Sequence, residues 1–447
     1  MKKAFLFVLF AGLVIRLILV GNPGFEADIS FWKSWGLAAL DHGIVWTSLN
    51  TNINYPPGFI YILWLMAKIY SLFADPRDYN SFWQVNNFAF LFAAKSIAIA
   101  ADIAIACLIY RLFSQKEKLK QLGANILNYK FLPLILASVF YLNPVVIIDS
   151  ALWGQVESFG LLFTLSAVII LFYKKPLLAT AVFAVGPLLK LQNIIFIPIY
   201  FIFIWRFFDI KTLIKSVGIF ILVFFATVLP FILAGQMNQV LNLLTVNSDY
   251  FPWLSLNAHN LWWIVAGARG MEISDKITVL GILNAKRTGL LLFASSYLLA
   301  CLLTYFKPTA RNFLLSLTFA VFSFFLFTTQ SHERYSYPVI VLLLFLNPFI
   351  LKSKILNLKS NIYFWLIYFL FTANIFFNIH TGLILNYPQN GISLLTSITT
   401  PTTTIANSYF SIRFFLTTKD HRPKTSSGSY ILSSPSISSS TFTPVLF

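Results

Sequence analysis

The sequence predicts an all-α polytopic membrane protein with about 10–12 transmembrane helices. Three observations point there. The 447 residues are 58% hydrophobic and only 11% charged, more apolar surface than a soluble fold can hide. The mean hydropathy is +0.77. Apolar runs of about 17–25 residues recur, the length that crosses a bilayer core, whereas the short alternating segments of a membrane β-barrel are absent.

The runs fall at 4–20, 88–110, 131–148, 158–173, 214–234, 286–306, 312–330, 336–351 and 362–384. The first follows Met1-Lys2-Lys3 and resembles a secretory signal. No small-x-small cleavage site comes after it, so a retained first helix is expected. Two stretches are ambiguous, 57–73 and 176–205, the latter interrupted by "GPLLKLQN". The positive-inside rule arbitrates. With the N terminus inside, 57–73 not crossing and 176–205 crossing an even number of times, seventeen basic residues lie in inner loops and nine in outer ones. A crossing at 57–73 reverses that bias. Residues 57–73 are therefore expected to lie along the outer face as an amphipathic helix. A similar helix is expected at 31–40, with Phe31, Trp35 and Ala38 on one side. Residues 176–205 become a helical hairpin or re-entrant pair with Lys190 and Gln192 at its outer tip; broken helices at membrane depth line cavities. Residues 1–390 form the transmembrane domain, with 21–87 as its first outer loop. Residues 391–447 form a tail. From Ser393, 24 of its 55 residues are Ser or Thr, and it reads as disordered or loosely attached.

Composition also narrows function. Cys107 and Cys301 sit inside apolar runs and suggest neither a disulfide framework nor a metal cluster. The net charge of +17 reflects basic cytoplasmic loops facing anionic lipid rather than nucleic acid. No Walker motif, GxGxxG or metal-spaced His/Cys set is present, which argues against ATP-driven transport and nucleotide-sugar chemistry in a cytosolic domain.

The acids segregate to the outer side. Inner loops hold only Glu117 and Asp209. Four outer stretches carry candidate chemistry. In "NPGFEADISFWKSWG", residues 22–36, Glu26 and Asp28 stand at the mouth of the first span beside Trp32 and Trp35. A carboxylate there suits a general base for a hydroxyl nucleophile; the alternative is a solvated loop acid, with the aromatics holding the loop at the membrane surface. "SALWGQVESFG", residues 150–160, offers Trp153, Gln155 and Glu157. An aromatic face, an amide and an acid can hold a sugar; the alternative is an interfacial anchor with ordinary loop polars. "LLKLQN" holds Lys190, which is expensive to bury without an anion or water; otherwise it snorkels. "QSHERYSYP", residues 330–338, brings His332, Glu333 and Arg334, where Arg and a protonated His could hold a phosphate. The alternative is a charged cap on a tight turn. Asp102, mid-span, reads as a proton relay or a buried helix–helix hydrogen bond. His259 could contact substrate, and His380 receives no role.

These pieces in order, with "YPPGFIYILWL", "LNPVVIIDSALWGQVESFGLLF", "LLKLQNIIFIPI" and "HERYSYPVIVLLLF", resemble the bacterial polytopic glycosyltransferases of the C superfold (GT-C), those related to the mannosyltransferase of GPI anchors. The resemblance runs from about residue 5 to about residue 350 and is most specific in "WGQVES" and "HERY". It departs at Glu157, where the family usually has Asp, and at Leu191, where it has Pro. The resemblance implies two surface helices in the first outer loop, a polyprenyl-phosphate sugar donor, mannose most often, and inverting transfer to a glycan, glycolipid or protein hydroxyl. The charge count above gives a multi-pass protein of the cell membrane with a cytoplasmic N terminus and an active site on the outer face, and the outer first loop implied by the resemblance agrees with it. Asp28 matches the family's catalytic acid and Glu157 the second acidic position. Lys190, His332 and Arg334 match polar positions near the lipid phosphate. No metal is expected, since no diphosphate nucleotide leaves, although Asp28 and Glu157 could hold a hard cation if the fold brings them together. The competing readings are a transporter or lipid-linked sugar flippase, which would also carry a broken helix and intramembrane charges, and a non-catalytic envelope assembly protein.

Overall fold

The computed structural model of the chain describes residues 1–124, 130–245, 249–350 and 358–417. The protein is all-α apart from one small hairpin. Helix α1 (Lys2–Leu19) buries Phe5, Gly12 and Arg16 on one stripe and leaves Phe7, Phe10 and Ile18 exposed, as a lipid-facing helix should. The first loop then folds as α2 (Glu26–His42), α3 (Ile44–Asn50), α4 (Pro57–Tyr70) and α5 (Tyr79–Phe82). Gly43, at φ +86°, ends α2 and starts α3. Pro57 opens α4, where the missing N–H has no intrahelical partner anyway. The helices expected at 31–40 and 57–73 are thus both present. They are more deeply packed than surface helices: Phe59, Ile60, Leu63, Met66 and Ala67 of α4 are fully buried, against α2 and the next helix.

That helix is α6 (Phe88–Phe113), capped by the Asn87 side chain on the Phe90 N–H. After α7 (Lys116–Gln121) come α8 (Leu132–Tyr141) and α9 (Pro144–Ile147), where Pro144 and the Asn143 cap bend the chain by 44°. Helix α9 runs into a π-helix, Ile148–Trp153, that stops at the left-handed Gly154. Helices α10 (Glu157–Phe172) and α11 (Pro176–Leu189) form a packed pair. The chain breaks at Lys190, makes a 3-10 turn over Leu191–Phe196 and continues as α12 (Ile197–Phe207), matching the interruption expected in 176–205. The rest comprises α13 (Ile210–Leu233), α14 (Met237–Thr245), α15 (Leu261–Val265), the hairpin of β1 (Thr278–Leu280) and β2 (Leu283–Asn284), α16 (Ala285–Phe306), α17 (Ala310–Phe327), α18 (Tyr337–Ile350), α19 (Leu358–Asn386), α20 (Ser393–Ile398) and α21 (Pro401–Thr417).

Among the described residues, five helices are long and apolar enough to cross a membrane: α6, α13, α16, α17 and α19 from Ile362. The bent pair Leu132–Tyr141 with Pro144–Trp153 makes six, and five shorter apolar helices of 10–17 residues accompany them. The chain is a multi-pass membrane protein; the five or six helices long enough to cross among the described residues are fewer than the 10–12 expected, because the remaining apolar helices are broken into pieces of 10–17 residues.

The tail departs from expectation. Residues 393–398 and 401–417 are helical, and α21 is docked. Asn407 and Ser411 hydrogen-bond Asn374 of α19, and Phe415 stacks on Phe319 of α17. Ser and Thr there do not mark disorder, because several hydroxyls bond back to carbonyls of their own helix, as Ser408 does to Thr404. The remainder of the tail, 418–447, lies outside the described residues.

Candidate active site

Asp28 lies in the first turn of α2, where the helix dipole favours a carboxylate. Phe25, just before it, stacks on Trp153 with centroids 5.2 Å apart. Two side chains from the corner after the π-helix reach Asp28 Oδ2: Gln155 Nε2 donates to it, and Trp153 Nε1 donates at 3.4 Å. That corner is wide because the Asp149 carbonyl accepts from both Gly154 and Gln155, which aims Trp153 and Gln155 at the same carboxylate. π-turns of this kind often mark functional sites.

Trp153 also adjoins a cluster of paired charges. Glu157, in the first turn of α10, is flanked by two cations: Lys190 Nζ donates to its Oε1, and Arg334 Nε lies 3.2 Å from the same oxygen. Arg334 also pairs with Glu333 at 2.5 Å and sits 5.7 Å above the Trp153 ring. His332 Nδ1 is 3.8 Å from Glu333. Burial works against the Glu333 carboxylate, but Arg334 and His332 hold its pKa down at about 2. Burial alone would lower the Arg334 pKa; Glu333, Asp28 and Glu157 raise it above its ordinary value. Burial, with the Arg334 charge beside it, pushes His332 below the usual 6.5.

Asp28, Lys190, Gln192, His332 and Arg334 all line one cavity of about 810 Å³. Its other walls carry Trp32, Trp35 and Tyr55, and an apolar flank of Ile194, Ile195, Leu290 and Phe324. Ile194 and Leu290 of that flank are exposed. Burial and the Asp28 charge push the Tyr55 phenol up, so it stays a neutral donor. Another cavity, of about 540 Å³ near Lys68, Asp75 and Arg77, holds none of the expected site residues.

The structure therefore gathers residues that are far apart in the chain, but in different ranks. Trp153, Gln155, Glu157 and Glu333 stand behind the cavity lining and hold Asp28, Lys190 and Arg334 in place. Glu26 is not part of the cavity. It accepts from Asn390 at 2.9 Å and Gln389 at 3.1 Å, tying α2 to the turn after α19. Burial and the Arg334 charge lower the His332 pKa and so oppose the protonated form that a phosphate-binding role would use, while Glu333 and Asp28 favour it. His259 does not line this cavity: it is fully buried, bonded to Asn407, and burial pushes its pKa down to about 3. His380 accepts from the Ile392 N–H. Asp102 is a buried hydrogen-bonded pair with Arg16, not a relay reaching the cavity.

Trp32 and Trp35 were expected as surface anchors. They are 1% and 3% exposed and face the cavity. The signal for this was present: Asp28, Trp32 and Trp35 fall at i, i+4 and i+7, one face of a helix. Tyr55 and Lys286 also line the cavity and carried no comparable signal. Among the described residues, no group of three or more His, Cys, Asp and Glu is arranged to hold a metal ion. Asp28 and Glu157 are taken up by side-chain donors from separate partners.

No family model matches the chain. Over 219 residues, 47% of its length, the chain is 26% identical to the Arabidopsis thaliana protein described as dolichyl pyrophosphate Glc1Man9GlcNAc2 alpha-1,3-glucosyltransferase. The match covers 40% of that relative, so the chain aligns with less than half of the curated protein.

Proposed function

We propose that the chain is an integral-membrane inverting glycosyltransferase of the GT-C type, moving a hexose from a polyprenyl-phosphate carrier to an acceptor hydroxyl. The observation that carries this reading is the cavity itself, lined by the Asp28 carboxylate, by the cations Lys190 and Arg334, and by an apolar flank in which Ile194 and Leu290 are exposed. The distant similarity to a protein described as a dolichyl pyrophosphate Glc1Man9GlcNAc2 alpha-1,3-glucosyltransferase supports the same class.

Gln155 and Trp153 occupy Oδ2 of Asp28, which leaves Oδ1 for the acceptor hydroxyl. Asp28 takes the hydroxyl proton as the acceptor oxygen forms its bond to the anomeric carbon. The bond from that carbon to the phosphate oxygen breaks on the opposite face, and the anomeric configuration inverts. The leaving polyprenyl phosphate carries the negative charge, which Lys190 and Arg334 meet. Glu157 bridges the two cations and keeps them close together before the phosphate arrives. Trp32, Trp35 and Tyr55 offer ring faces and a phenol to the sugar, and the flank of Ile194, Leu290 and Phe324 receives the lipid tail. No metal is assigned a role. The charge bias of the loops supports a cytoplasmic N terminus and an outer-face site in the cell membrane.

Mannose, implied by the resemblance, and glucose, named in the relative, are the donors to test. Membranes containing wild-type protein or Asp28→Asn at matched levels are supplied with labelled polyprenyl-phosphate mannose and, separately, glucose. Transfer by the wild type that is lost in the variant establishes the reaction and its base. Transfer that survives in the variant removes Asp28 from the mechanism. Translocation of the labelled carrier without transfer would replace the reading with a flippase.

A further inference from the structure

Of the three charged residues that helix α6 carries, Arg111 lies in the last turn and is exposed, while Lys95 and Asp102 are fully buried. Seven residues apart, they lie on one helix face. A charge in such surroundings costs a few kcal/mol unless it is well partnered. Asp102 is partnered by Arg16 and Ser150. Lys95 has no carboxylate partner among the described residues. Its ammonium donates instead to three backbone carbonyls: Val20 at 3.2 Å, Asn22 at 2.6 Å and Leu152 at 3.0 Å. An ammonium has three donors, and all three are used.

The choice of carbonyls is informative. Val20 and Asn22 follow the end of α1, and Leu152 lies in the last turn of the π-helix. Carbonyls at helix ends lack intrahelical partners and carry the negative end of the dipole. Both segments lead directly into the site. Three residues beyond Asn22 is Phe25, stacked on Trp153, and three further is Asp28. One residue beyond Leu152 is Trp153, and two further is Gln155. Between the segments there is no room for a side chain. Gly24, at φ +66°, has the Leu152 and Trp153 carbonyls where a Cβ would sit, and a Cβ on Gly154, at φ +93°, would stand 3.0 Å from Lys95 Cε.

We infer that Lys95 is the positioning residue that sets Asp28 against Gln155 and Trp153, by binding the two backbone segments that carry them. It touches no substrate. The inference rests on the reading of Asp28 as base, but the clamp itself is testable without any activity.

The full chain in lipid nanodiscs is compared as wild type, Lys95→Met, Lys95→Arg and Gly24→Ala. Amide hydrogen exchange is measured over residues 21–30 and 150–156, with thermal stability and transfer kinetics alongside. In Lys95→Met, exchange over 21–30 is expected to rise by about tenfold or more as the tethers open, with α17 unchanged. The kcat is expected to fall by about 10- to 100-fold, the scale of a misplaced reacting group, with the donor KM held within about twofold of wild type. Lys95→Arg keeps the charge and restores part of both. Gly24→Ala forces the segments apart while leaving the lysine intact and is expected to reproduce the Lys95→Met pattern; if Lys95→Met does not fold, exchange over 21–30 in Lys95→Arg decides the matter. Unchanged exchange over 21–30 in the variants that fold overturns the clamp. So does a raised donor KM with kcat retained. If the wild type transfers no sugar, the proposed function fails and the exchange data alone judge Lys95.

Discussion

Two clusters of charge lie buried in this bundle, and they differ in one respect. Arg16 and Asp102 are both fully buried, and nothing opens onto them: Arg16 donates to Asp102, to the Gly12 carbonyl and to the Tyr141 carbonyl, and Ser150 donates to Asp102. Glu157, Lys190, Arg334 and Glu333 are nearly as buried, at 2–8% exposure, yet Lys190 and Arg334 border the large cavity. A closed pair can only hold helices together. A pair with one open side keeps its cations ready for a ligand that brings its own negative charge. The comparison separates scaffold from machinery by geometry alone.

The largest effect expected belongs to neither cluster but to Asp28. Asp28→Asn is expected to lower transfer by about 10²- to 10⁴-fold, the range of general-base catalysis, with thermal stability little changed. The sharper contrast is between Arg334→Met and Asp102→Ala. On the proposed mechanism, removing Arg334 takes a cation away from the leaving phosphate, and it is expected to reduce kcat by about 10²- to 10³-fold. Removing Asp102 leaves Arg16 buried without its partner and is expected to cost about 3–5 kcal/mol of stability, while each folded molecule keeps its turnover. Thermal melts in detergent together with activity per folded protein separate the two. Equal losses of turnover in both variants would erase the distinction between open and closed clusters.

The next effect is on pH dependence. Glu333 has its folded pKa held at about 2 against a usual 4.5. A depressed carboxylate contributes stability that is complete above its unfolded pKa and lost as the pH falls through the folded value. The contribution of the Glu333–Arg334 pair is therefore expected to disappear between pH 4.5 and about 2. Melting curves across that window should slope more steeply for wild type than for Glu333→Gln. Parallel curves would mean that Arg334 does not hold Glu333 ionised.

The comparison also marks what was legible beforehand. The long spans were, because an uninterrupted apolar run needs no partner to be recognised: α6 and α16 fall where the hydropathy placed them. The identities of Asp28, Glu157, Lys190 and Arg334 were legible too, because acids and bases in so apolar a chain are conspicuous. Their ranks were not. Arg334 meets Glu157 across 177 positions of chain, and Glu26 is drawn away by Asn390 across 364. No local pattern encodes such pairings. Helix α21 was misread because Ser and Thr look alike whether they face water or their own helix's carbonyls. Lys95 was passed over because its partners are backbone carbonyls, which every residue possesses.

The smallest effect expected is at His332, and it tests the reading of the open cluster most finely. Were this imidazole a third phosphate-binding cation, its replacement would cost as much as that of Arg334. Burial and the neighbouring guanidinium instead keep its pKa below 6.5, although Glu333 pulls the other way. Near pH 7 it contributes a neutral hydrogen-bonding group to the cavity wall. His332→Gln keeps that capacity and is expected to reduce transfer by no more than about 2- to 10-fold, the value of one neutral hydrogen bond. The pH–rate profile between pH 6 and 8 should keep its shape in the variant. An acidic limb near 6.5 that vanishes with the histidine would mean that His332 titrates in the working range. The phosphate would then meet three cations rather than two.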